Sequence, residues 1–308
     1  GGPVPAGAEA YEYDGTGWSE IPSLNTARYG LGGAGTTAAG IVWGGWVPPS
    51  QVVTEEYNGS SWTEQEDLNT ATYSAANCGT QTAGLTNGGI PSGSGPSRTN
   101  KTEEYNGASW ANGNASSTST SSGALAGIQT AAIRAFGELP AKTAISELYD
   151  GTNWTTGPTG NTARSGLGAS GATQTAALFY GGSTPPVNSA TESFDGTSFS
   201  TQGAMATARE GIPSGPTGTS IAATAAGGET ATAVVANTEE YNFGISTVTA
   251  GAFASGGASG TGPWARTITG SAPAGLMFGG NPQTVNTESY NGTTWTEESN
   301  LSTGRYTT

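Results

Sequence analysis

The sequence predicts an all-β protein assembled from repeated four-stranded units, and three observations predict it. A nine-residue motif, TEEYNGSSW at Thr54 to Trp62, returns as TEEYNGASW at Thr102 to Trp110 and as TESYNGTTW at Thr287 to Trp295. A short apolar segment that ends in glycine precedes each of these copies, and an Asn-Gly pair lies inside each copy. Short segments bounded by glycine and broken by Asn-Gly are typical of strands joined by tight turns.

Variants of the motif divide residues 1–308 into seven units, which we expect to form a single domain. The first aromatic residue recurs every 44 to 49 residues, at Tyr13, Tyr57, Tyr105, Tyr149, Phe194, Tyr241 and Tyr290. A second aromatic residue follows five positions later in six units, as Trp18, Trp62, Trp110, Trp154, Phe199 and Trp295. The sixth unit has Ser246 at that position and is the degenerate copy.

Each unit contains four predicted strands. They are a strand of small residues, an apolar strand that ends in Gly-Gly, a Thr-Glu-x-Tyr strand that follows a variable loop, and a strand that begins at Trp. In the weaker copy AIRAFGE, we read Glu138 as the replacement for the second glycine. Pairs such as Asn58-Gly59 and Asp150-Gly151 are expected to supply positive φ angles to the last hairpin. Tyr and Trp are spaced to pack across that hairpin.

The seven units are expected to form a ring. A unit of about 45 residues is too small to bury both faces of its sheet alone, so neighbouring units must stack. The twist of each small sheet turns such a stack into radial closure. Small residues suit the innermost strands, which converge near the axis, and the large aromatic side chains fill space farther out. The repeats therefore predict a seven-bladed β-propeller with four-stranded blades.

The order of features within a unit resembles the kelch repeat. An apolar strand ending in a glycine pair, a Glu-x-Tyr, a spaced aromatic residue and a small residue before Arg all occur in ALFYGG…ATESFDGTSFSTQGAMATAR, from Ala177 to Arg209. The resemblance implies a propeller closed by a composite blade, in which Gly1-Gly2 ends a second strand and LSTGRYTT begins an innermost strand. Because the chain opens with Gly1-Gly2 and not with Met, we expect a processed or partial chain.

The particular form of the repeat resembles a narrower group. Tyr-Asn-Gly-x-x-Trp together with LNTARYGLGGAGTTAAG, which begins at Leu24, is similar to repeat proteins of marine bacteriophages that are tied to virion or tail-fibre proteins. This resemblance implies an extracellular, virion-associated structural protein. Its expected partners are other virion proteins, or a glycan or protein of the host surface.

Charge and composition exclude several classes of protein. The 23 acidic residues against 9 basic residues give a formal charge of -14, so we expect no nucleic-acid partner, because binding to phosphates needs clustered Lys and Arg. No apolar run reaches the roughly 18 to 20 residues that span a bilayer, so no membrane insertion is expected. The single cysteine, Cys78, excludes an intrachain disulfide and is expected to be a small buried residue. The acidic surface suits a marine or extracellular setting.

The residue types also argue against an enzyme. The chain has no histidine, which excludes Ser-His-Asp and Cys-His catalysis, histidine-ligated metals and the copper-radical chemistry of some kelch propellers. Adjacent carboxylates such as Glu55 and Glu56 point to opposite faces of a strand and make poor acid-base pairs. The first Glu recurs in six of seven units, which indicates a structural role, whereas Glu56, Glu104 and Glu240 are expected to be solvated. We expect no cofactor and no catalytic site, and a carboxylate-only hydrolase is the remaining enzymatic alternative.

Four arginines share one position in the repeat, in the loop that leads into the innermost strand: Arg28, Arg164, Arg209 and Arg305. Two interpretations are open. Each Arg can pair with the recurrent Glu of an adjacent blade. Alternatively, the four guanidinium groups can surround one mouth of the axial channel and receive a carboxylate from a partner.

The loops after the glycine pairs differ from unit to unit, as WVPPSQVV from Trp46, IPSGSGPSRTNK from Ile90 and STPPVNSA from Ser183 show. Alternating strand directions place these loops on the same face as the arginines, opposite the Asn-Gly turns. Diverse loops on a rigid scaffold commonly carry recognition, so Trp46, Pro48, Pro49 and Arg98 are candidate binding residues. Trp46 can stack on a sugar ring or fill a gap between blades. The preferred function is a non-enzymatic phage virion or attachment protein; the alternative is a secreted or cell-surface carbohydrate-binding propeller.

Overall fold

The structure is a computed structural model that describes the following residues: 8, 10–13, 18–36, 38–91, 97–212, 218–233, 235, 237–243, 252–258, 267–271, 274–278, 287–291 and 294–297. These residues form β-strands and connecting segments, and they contain no helix. Accordingly, no helix in this part of the chain has the length and apolarity to cross a bilayer. Gly1-Gly2, Ser246, Arg305 and the segment LSTGRYTT lie outside the described residues, and with them the predicted composite blade.

The described strands form eight sheets; seven are numbered 1 to 7 along the chain, and the eighth is a short two-stranded pair beside sheet 3. Sheet 1 contains β1 (Ala10–Tyr13) and β2 (Trp18–Ile21). Sheet 2 contains β3 (Gly32–Thr36), β4 (Ala39–Trp43), β5 (Thr54–Tyr57) and β6 (Trp62–Glu64). Sheet 3 contains β8 (Ala76–Thr80), β9 (Ala83–Asn87), β11 (Thr102–Tyr105) and β12 (Trp110–Gly113). The short strands β7 (Thr72–Tyr73) and β10 (Ile90–Pro91) pair with each other beside it.

The remaining strands form sheets 4 to 7. Sheet 4 contains β13 (Ala124–Ile128), β14 (Ala131–Ala135), β15 (Ser146–Tyr149) and β16 (Trp154–Thr156). Sheet 5 contains β17 (Gly168–Thr173), β18 (Ala176–Tyr180), β19 (Thr191–Phe194) and β20 (Phe199–Gln202). Sheet 6 contains β21 (Ala222–Ala226), β22 (Asn237–Asn242) and β23 (Ala252–Ala258). Sheet 7 contains β24 (Thr267–Ser271), β25 (Ala274–Phe278), β26 (Thr287–Tyr290) and β27 (Trp295–Glu297).

The pairing of the strands confirms the all-β prediction and the four-stranded unit. Sheets 2, 3, 4, 5 and 7 each have four antiparallel strands, and within each sheet the strands pair in the order in which they follow along the chain. Sheet 6 has three described strands and sheet 1 has two. This architecture is propeller-like.

In sheets 2 to 5 the last hairpin forms as predicted, with its two aromatic rings in contact, but its Asn or Asp has a different role. Tyr57 pairs with Trp62 in register, and their ring centroids lie 5.1 Å apart, so the two rings pack across the hairpin. Gly59 has a φ of 88°, whereas Asn58 is not among the residues with positive φ. The Asn58 side-chain oxygen instead accepts the backbone N–H groups of Ser60 and Ser61, each at 2.9 Å. The amide therefore caps a four-residue turn.

The glycine pair also corrects the alignment of one unit. Gly44 and Gly45 have φ angles of 61° and 103°. In sheet 4 the corresponding angles are 64° at Phe136 and 109° at Gly137. Phe136 therefore replaces the first glycine, and the reading of Glu138 as the replacement for the second glycine is wrong. The left-handed conformation is rare for a bulky residue, and the burial of the Phe136 ring against Phe179 and Phe199 holds it there.

Sheets 2 to 5 each complete their core against the next sheet. Trp43 of sheet 2 lies edge-on to Trp110 of sheet 3, with 5.0 Å between ring centroids. Further clusters join sheet 3 to sheet 4, sheet 4 to sheet 5 and sheet 5 to sheet 6. The first strands are rich in small residues, as predicted, and β3, β8, β13 and β17 contact one another in that order. Strands of sheet 1 also contact strands of sheet 7.

Candidate binding face

The variable loops and the linkers between sheets lie at the same end of the strands, because every sheet is antiparallel and its strands follow in chain order. The loop face is defined here as the loops that follow Gly45, Gly89, Gly137, Gly182 and Gly228, together with the linkers that precede each first strand. The Asn-Gly turns lie at the opposite end. The candidate binding residues that sequence reasoning selected belong to the loop face.

A string of backbone hydrogen bonds crosses the loop face from sheet 2 to sheet 6. Its members share a left-handed conformation, with φ from 52° to 66°, and are Gly30, Ser74, Ser122, Gly166 and Gly211. The N–H of Ser74 donates to the carbonyl of Gly30 at 3.0 Å, and the following three members each donate to the preceding carbonyl at 2.9 Å. The linkers of five successive sheets are therefore fastened to one another at equivalent atoms.

A second backbone feature repeats on this face with different side chains. In sheet 2, Tyr29 and Trp46 exchange two hydrogen bonds, with N to O distances of 3.0 and 2.6 Å. Ser165 and Ser183 make the same two-way bridge in sheet 5, at 3.1 and 2.8 Å. The bridge also joins Ser121 to Glu138 and Glu210 to Glu229. The backbone of the loop face is thus uniform, whereas its side chains are not.

The recurrent arginines lie inside the sheets. Arg28, Arg164 and Arg209 are fully buried, and each pairs with the recurrent Glu of its own sheet; the pairs are Arg28 with Glu55 at 2.5 Å, Arg164 with Glu192, and Arg209 with Glu239 at 3.4 Å. The pairing therefore occurs, but not with an adjacent sheet as we expected. A buried guanidinium cannot meet a partner at a channel mouth, so these three side chains do not form the surface ring of the second interpretation.

The buried glutamates hold the linkers in place. Glu55 accepts the backbone N–H groups of Asn25 and Thr26 at 2.5 and 3.2 Å, and Arg28 donates to the same carboxylate. Sheet 4 has Thr120 where the linkers of sheets 2, 5 and 6 have Arg, and there Arg134 of β14 supplies the cation to Glu147. The equivalent carboxylate of sheet 4 is therefore paired with a guanidinium group from a strand. An alignment of the linkers alone could not indicate this pair.

Sheet 3 keeps the carboxylate without a cation. Thr72 stands where Arg28 stands in sheet 2, and no ion pair of Glu103 is present among the described residues. Glu103 accepts hydrogen bonds from the backbone and side-chain amide of Asn69, at 2.7 and 3.1 Å. Burial raises the pKa of Glu103, and the hydrogen bonds from Asn69 and Thr70 only partly oppose that shift.

We expected Glu104, the second Glu of the motif, to be solvated, but its carboxylate accepts a hydrogen bond from the neighbouring sheet. The hydroxyl of Tyr149 in sheet 4 donates to the Glu104 carboxylate of sheet 3. At the next junction both partners are replaced. Sheet 4 has Leu148 at the position of Glu104, and sheet 5 has Phe194, which lacks a hydroxyl, at the position of Tyr149. The exchange of both partners at once was a sequence signal for this contact between neighbouring sheets.

The remaining candidates form an aromatic group and a polar group. Trp46 is half-buried and packs on Tyr73, with 5.0 Å between ring centroids, while Pro48 and Pro49 are exposed. Arg98 donates to Glu138 and to Ser121, and so links the loop of sheet 3 to sheet 4. Arg305 lies outside the described residues. Sequence reasoning missed Tyr29 and Tyr73, which the fold brings to Trp46.

Among the described residues, no group of His, Cys, Asp and Glu is arranged to hold a metal ion. Cys78 is buried, as predicted, and burial raises the pKa of its thiol, so the reactive thiolate is disfavoured.

Comparisons with known proteins concern the fold alone. No protein-family model matches the chain, and no curated protein sequence matches it. The chain is similar to a solved structure titled "Structure of YjhT", with a TM-score of 0.66 and 14% sequence identity, over 79% of this chain and 91% of that chain. At this identity the similarity supports the propeller-like architecture and carries no statement about activity.

Proposed function

We propose that the chain is a non-enzymatic attachment or structural protein of a bacteriophage virion, built as a kelch-like propeller of seven blades. One observation carries the binding role. The loop face keeps the same backbone bridge in sheets 2, 4, 5 and 6 while its side chains change from aromatic to serine to carboxylate. A constant framework with variable side chains is the usual design of a recognition surface. The viral context is supported only by the resemblance of the repeat sequence.

Closure of the seven units into a ring has two supports. Strands β1 and β2 contact strands of sheet 7, which supports closure of the ring. Between neighbouring sheets, the indole N–H of Trp110 donates to Thr54, and that of Trp154 donates to Thr102. The hydroxyl of Thr287, at the same position in sheet 7, is buried without a hydrogen-bond partner among the described residues. In a closed ring the matching donor would be Trp18.

Labelling of particles tests the viral proposal. Purified phage from the source sample would be incubated with gold-labelled antibodies raised against this chain and imaged by electron microscopy. We expect label at the tail, fibre or capsid surface, and none with antibodies depleted on the purified chain. Particles that carry the gene but bind no antibody would refute the virion role.

The second candidate is a secreted or cell-surface carbohydrate-binding propeller, and the contact between Trp46 and Tyr73 favours it. The two candidates differ in location and not in fold. Label on the surface of cells that are free of phage, together with unlabelled virions, would support the second candidate. A glycan partner is compatible with both.

A further inference from the structure

Three aromatic side chains come together on the loop face at the junction of sheets 2 and 3. Tyr29 and Trp46 are joined by the two-way backbone bridge, and Trp46 packs on Tyr73 at an interplanar angle of 55°. Partial burial raises the pKa of Tyr29, and the proximity of the Tyr73 side chain adds to that shift. The aromatic platform is defined here as Tyr29, Trp46 and Tyr73. All three residues are half-buried.

The fold does not require aromatic residues at these positions. Ser165 and Ser183 occupy the positions of Tyr29 and Trp46 in sheet 5 and make the same backbone bridge. Ser121 takes the position of Tyr73 in sheet 4 and keeps the same bridge with Glu138. A residue needed for the framework would recur in most units, as the buried Glu does in six of seven. Among the described residues, aromatic side chains occupy these positions in sheets 2 and 3, and the serine and carboxylate bridges of sheets 4 to 6 show that the framework does not need them.

The platform is held rigidly before any ligand arrives. Trp46 is bridged on one side to Tyr29 and on the other side to Ser50. The side-chain amide of Gln51 donates to the carbonyls of Val47 and Pro49, which fixes the loop after Trp46. A preformed aromatic surface loses little conformational entropy on binding, and this favours recognition.

The geometry of the rings restricts the ligand. With 5.0 Å between the centroids of Trp46 and Tyr73, the rings touch. No cage for an ammonium group and no groove for an extended peptide lies between these two rings. The platform instead offers the partly exposed surfaces of three aromatic side chains, which carry phenol and indole polar groups. Such a surface matches a ligand with an apolar face and a hydroxyl rim, because C–H groups are attracted to the negative face of an aromatic ring.

The charges of the loop face restrict the ligand further. Arg98 pairs with Glu138, and the ammonium of Lys142 lies 3.8 Å from the Glu210 carboxylate. Two cations and two carboxylates of the loop face thus neutralise each other, and Lys101, Glu66 and Glu229 are exposed besides them, so acidic groups remain in excess. The chain as a whole carries -14. Anionic sugars and phosphates are therefore disfavoured, whereas a neutral sugar meets no electrostatic cost.

We infer that the aromatic platform is a binding site for a neutral hexopyranose sugar, which stacks on Trp46 and Tyr73. This inference rests on the proposed attachment function and names its ligand class. The stacked sugar ring would cover apolar surface that the two half-buried side chains now expose to water. The hydroxyl groups of Tyr29 and Tyr73 can donate to or accept from the hydroxyl groups of the sugar.

Saturation-transfer NMR with glucose, galactose and mannose oligosaccharides tests the site. The substitutions are Trp46→Ser and Tyr73→Ser, because the chain itself uses serine at these positions in other sheets. Ser183→Ala, at the position of Trp46 in sheet 5, is the matched control. We expect transfer to the C–H protons of at least one oligosaccharide, affinity weakened by about tenfold or more in either aromatic variant, and unchanged affinity in the control. Near-ultraviolet circular dichroism and thermal unfolding verify that the variants are folded.

Three results would overturn the inference. The first is the absence of signal from all three sugar classes. The second is sugar binding that both folded serine variants retain, which would place the site elsewhere. The third is competition for Trp46 by a proline-rich peptide and not by any sugar. None of these results removes label from virions, so failure of the sugar site and failure of the proposed attachment role remain distinguishable.

Discussion

The guanidinium of Arg164 lies over the ring of Phe136, with 4.0 Å between its central carbon and the ring centroid. The two residues belong to different sheets, since Arg164 leads into sheet 5 and Phe136 follows β14 of sheet 4. Arg164 also pairs with Glu192 of sheet 5. A single buried cation therefore links an ion pair within one sheet to an aromatic core that is shared with the preceding sheet.

Substitution of Phe136 separates backbone strain from packing. Its φ of 64° penalises every residue with a Cβ atom by about 1 to 2 kcal/mol. Phe136→Ala would lose the ring and keep that strain, at a total cost of about 3 to 5 kcal/mol in the free energy of unfolding. Phe136→Gly would lose the ring and release the strain. We expect the glycine variant to be the more stable of the two in urea denaturation. A more stable alanine variant would contradict the left-handed assignment.

The ion pairs are expected to differ strongly in their contribution to stability. Arg164→Met would leave the buried Glu192 carboxylate without a cation and lower the free energy of unfolding by about 3 to 5 kcal/mol. Arg98→Met is the control, because its pair with Glu138 is partly exposed, with side-chain exposures of 13% and 34%. We expect that variant to lose about 0 to 1 kcal/mol. Equal losses for the two variants in guanidinium denaturation would contradict a structural role for the buried arginines.

A cation can be supplied to the carboxylate that lacks one. Gly45 packs on the aliphatic part of Arg28, and the equivalent Gly89 faces Thr72, so Thr72→Arg would place a guanidinium near Glu103. An opposite charge at this distance lowers a carboxyl pKa by about 1 to 3 units, each equivalent to about 1.4 kcal/mol. We therefore expect Thr72→Arg to raise the free energy of unfolding at pH 7 by about 1 to 4 kcal/mol.

The pH dependence checks that explanation. In the native chain the pKa of Glu103 is raised on folding, so its contribution favours folding at acid pH and is lost as pH rises from about 4.3 through the folded pKa. In the Thr72→Arg variant the cation favours the ionised carboxylate. The gain from the substitution should therefore shrink as pH falls toward 4. An equal gain at pH 4 and pH 7 would mean that Glu103 is not the group involved.

Local features of this fold could be predicted from sequence, whereas contacts between sheets could not. The hairpin at Tyr57 and Trp62 follows from residue types only five positions apart, and its ring contact formed as predicted. The partner of Arg28 depends on whether the linker folds back over its own sheet or reaches the neighbouring sheet. The contact of Trp46 with Tyr73 likewise depends on the angle between sheets 2 and 3. Neither the angle between sheets nor the path of a linker can be predicted from a short stretch of sequence.

Phe136 shows a second reason why sequence alone misled us. Glycine is the usual residue for a left-handed φ, so the sequence predicts Gly137 as the first residue of the pair and Glu138 as the second. The packing of the Phe136 ring against Phe179 and Phe199 overrides that local preference. Arg134 is comparable, because it supplies from a strand the cation that other units supply from a linker.

The distance between the first and last sheets tests the central claim, which is that the seven units close into a ring. Spin labels would be attached to cysteines introduced at Glu20 of sheet 1 and Thr296 of sheet 7, both exposed, after Cys78→Ala has removed the native thiol. Labels at Thr63 of sheet 2 and Asn112 of sheet 3, at equivalent exposed positions, give the reference for neighbouring sheets. A closed ring predicts that both pairs show the same short, narrow distance distribution by pulsed electron paramagnetic resonance. A long or broad distribution for Glu20 and Thr296, beside a short reference, would contradict it.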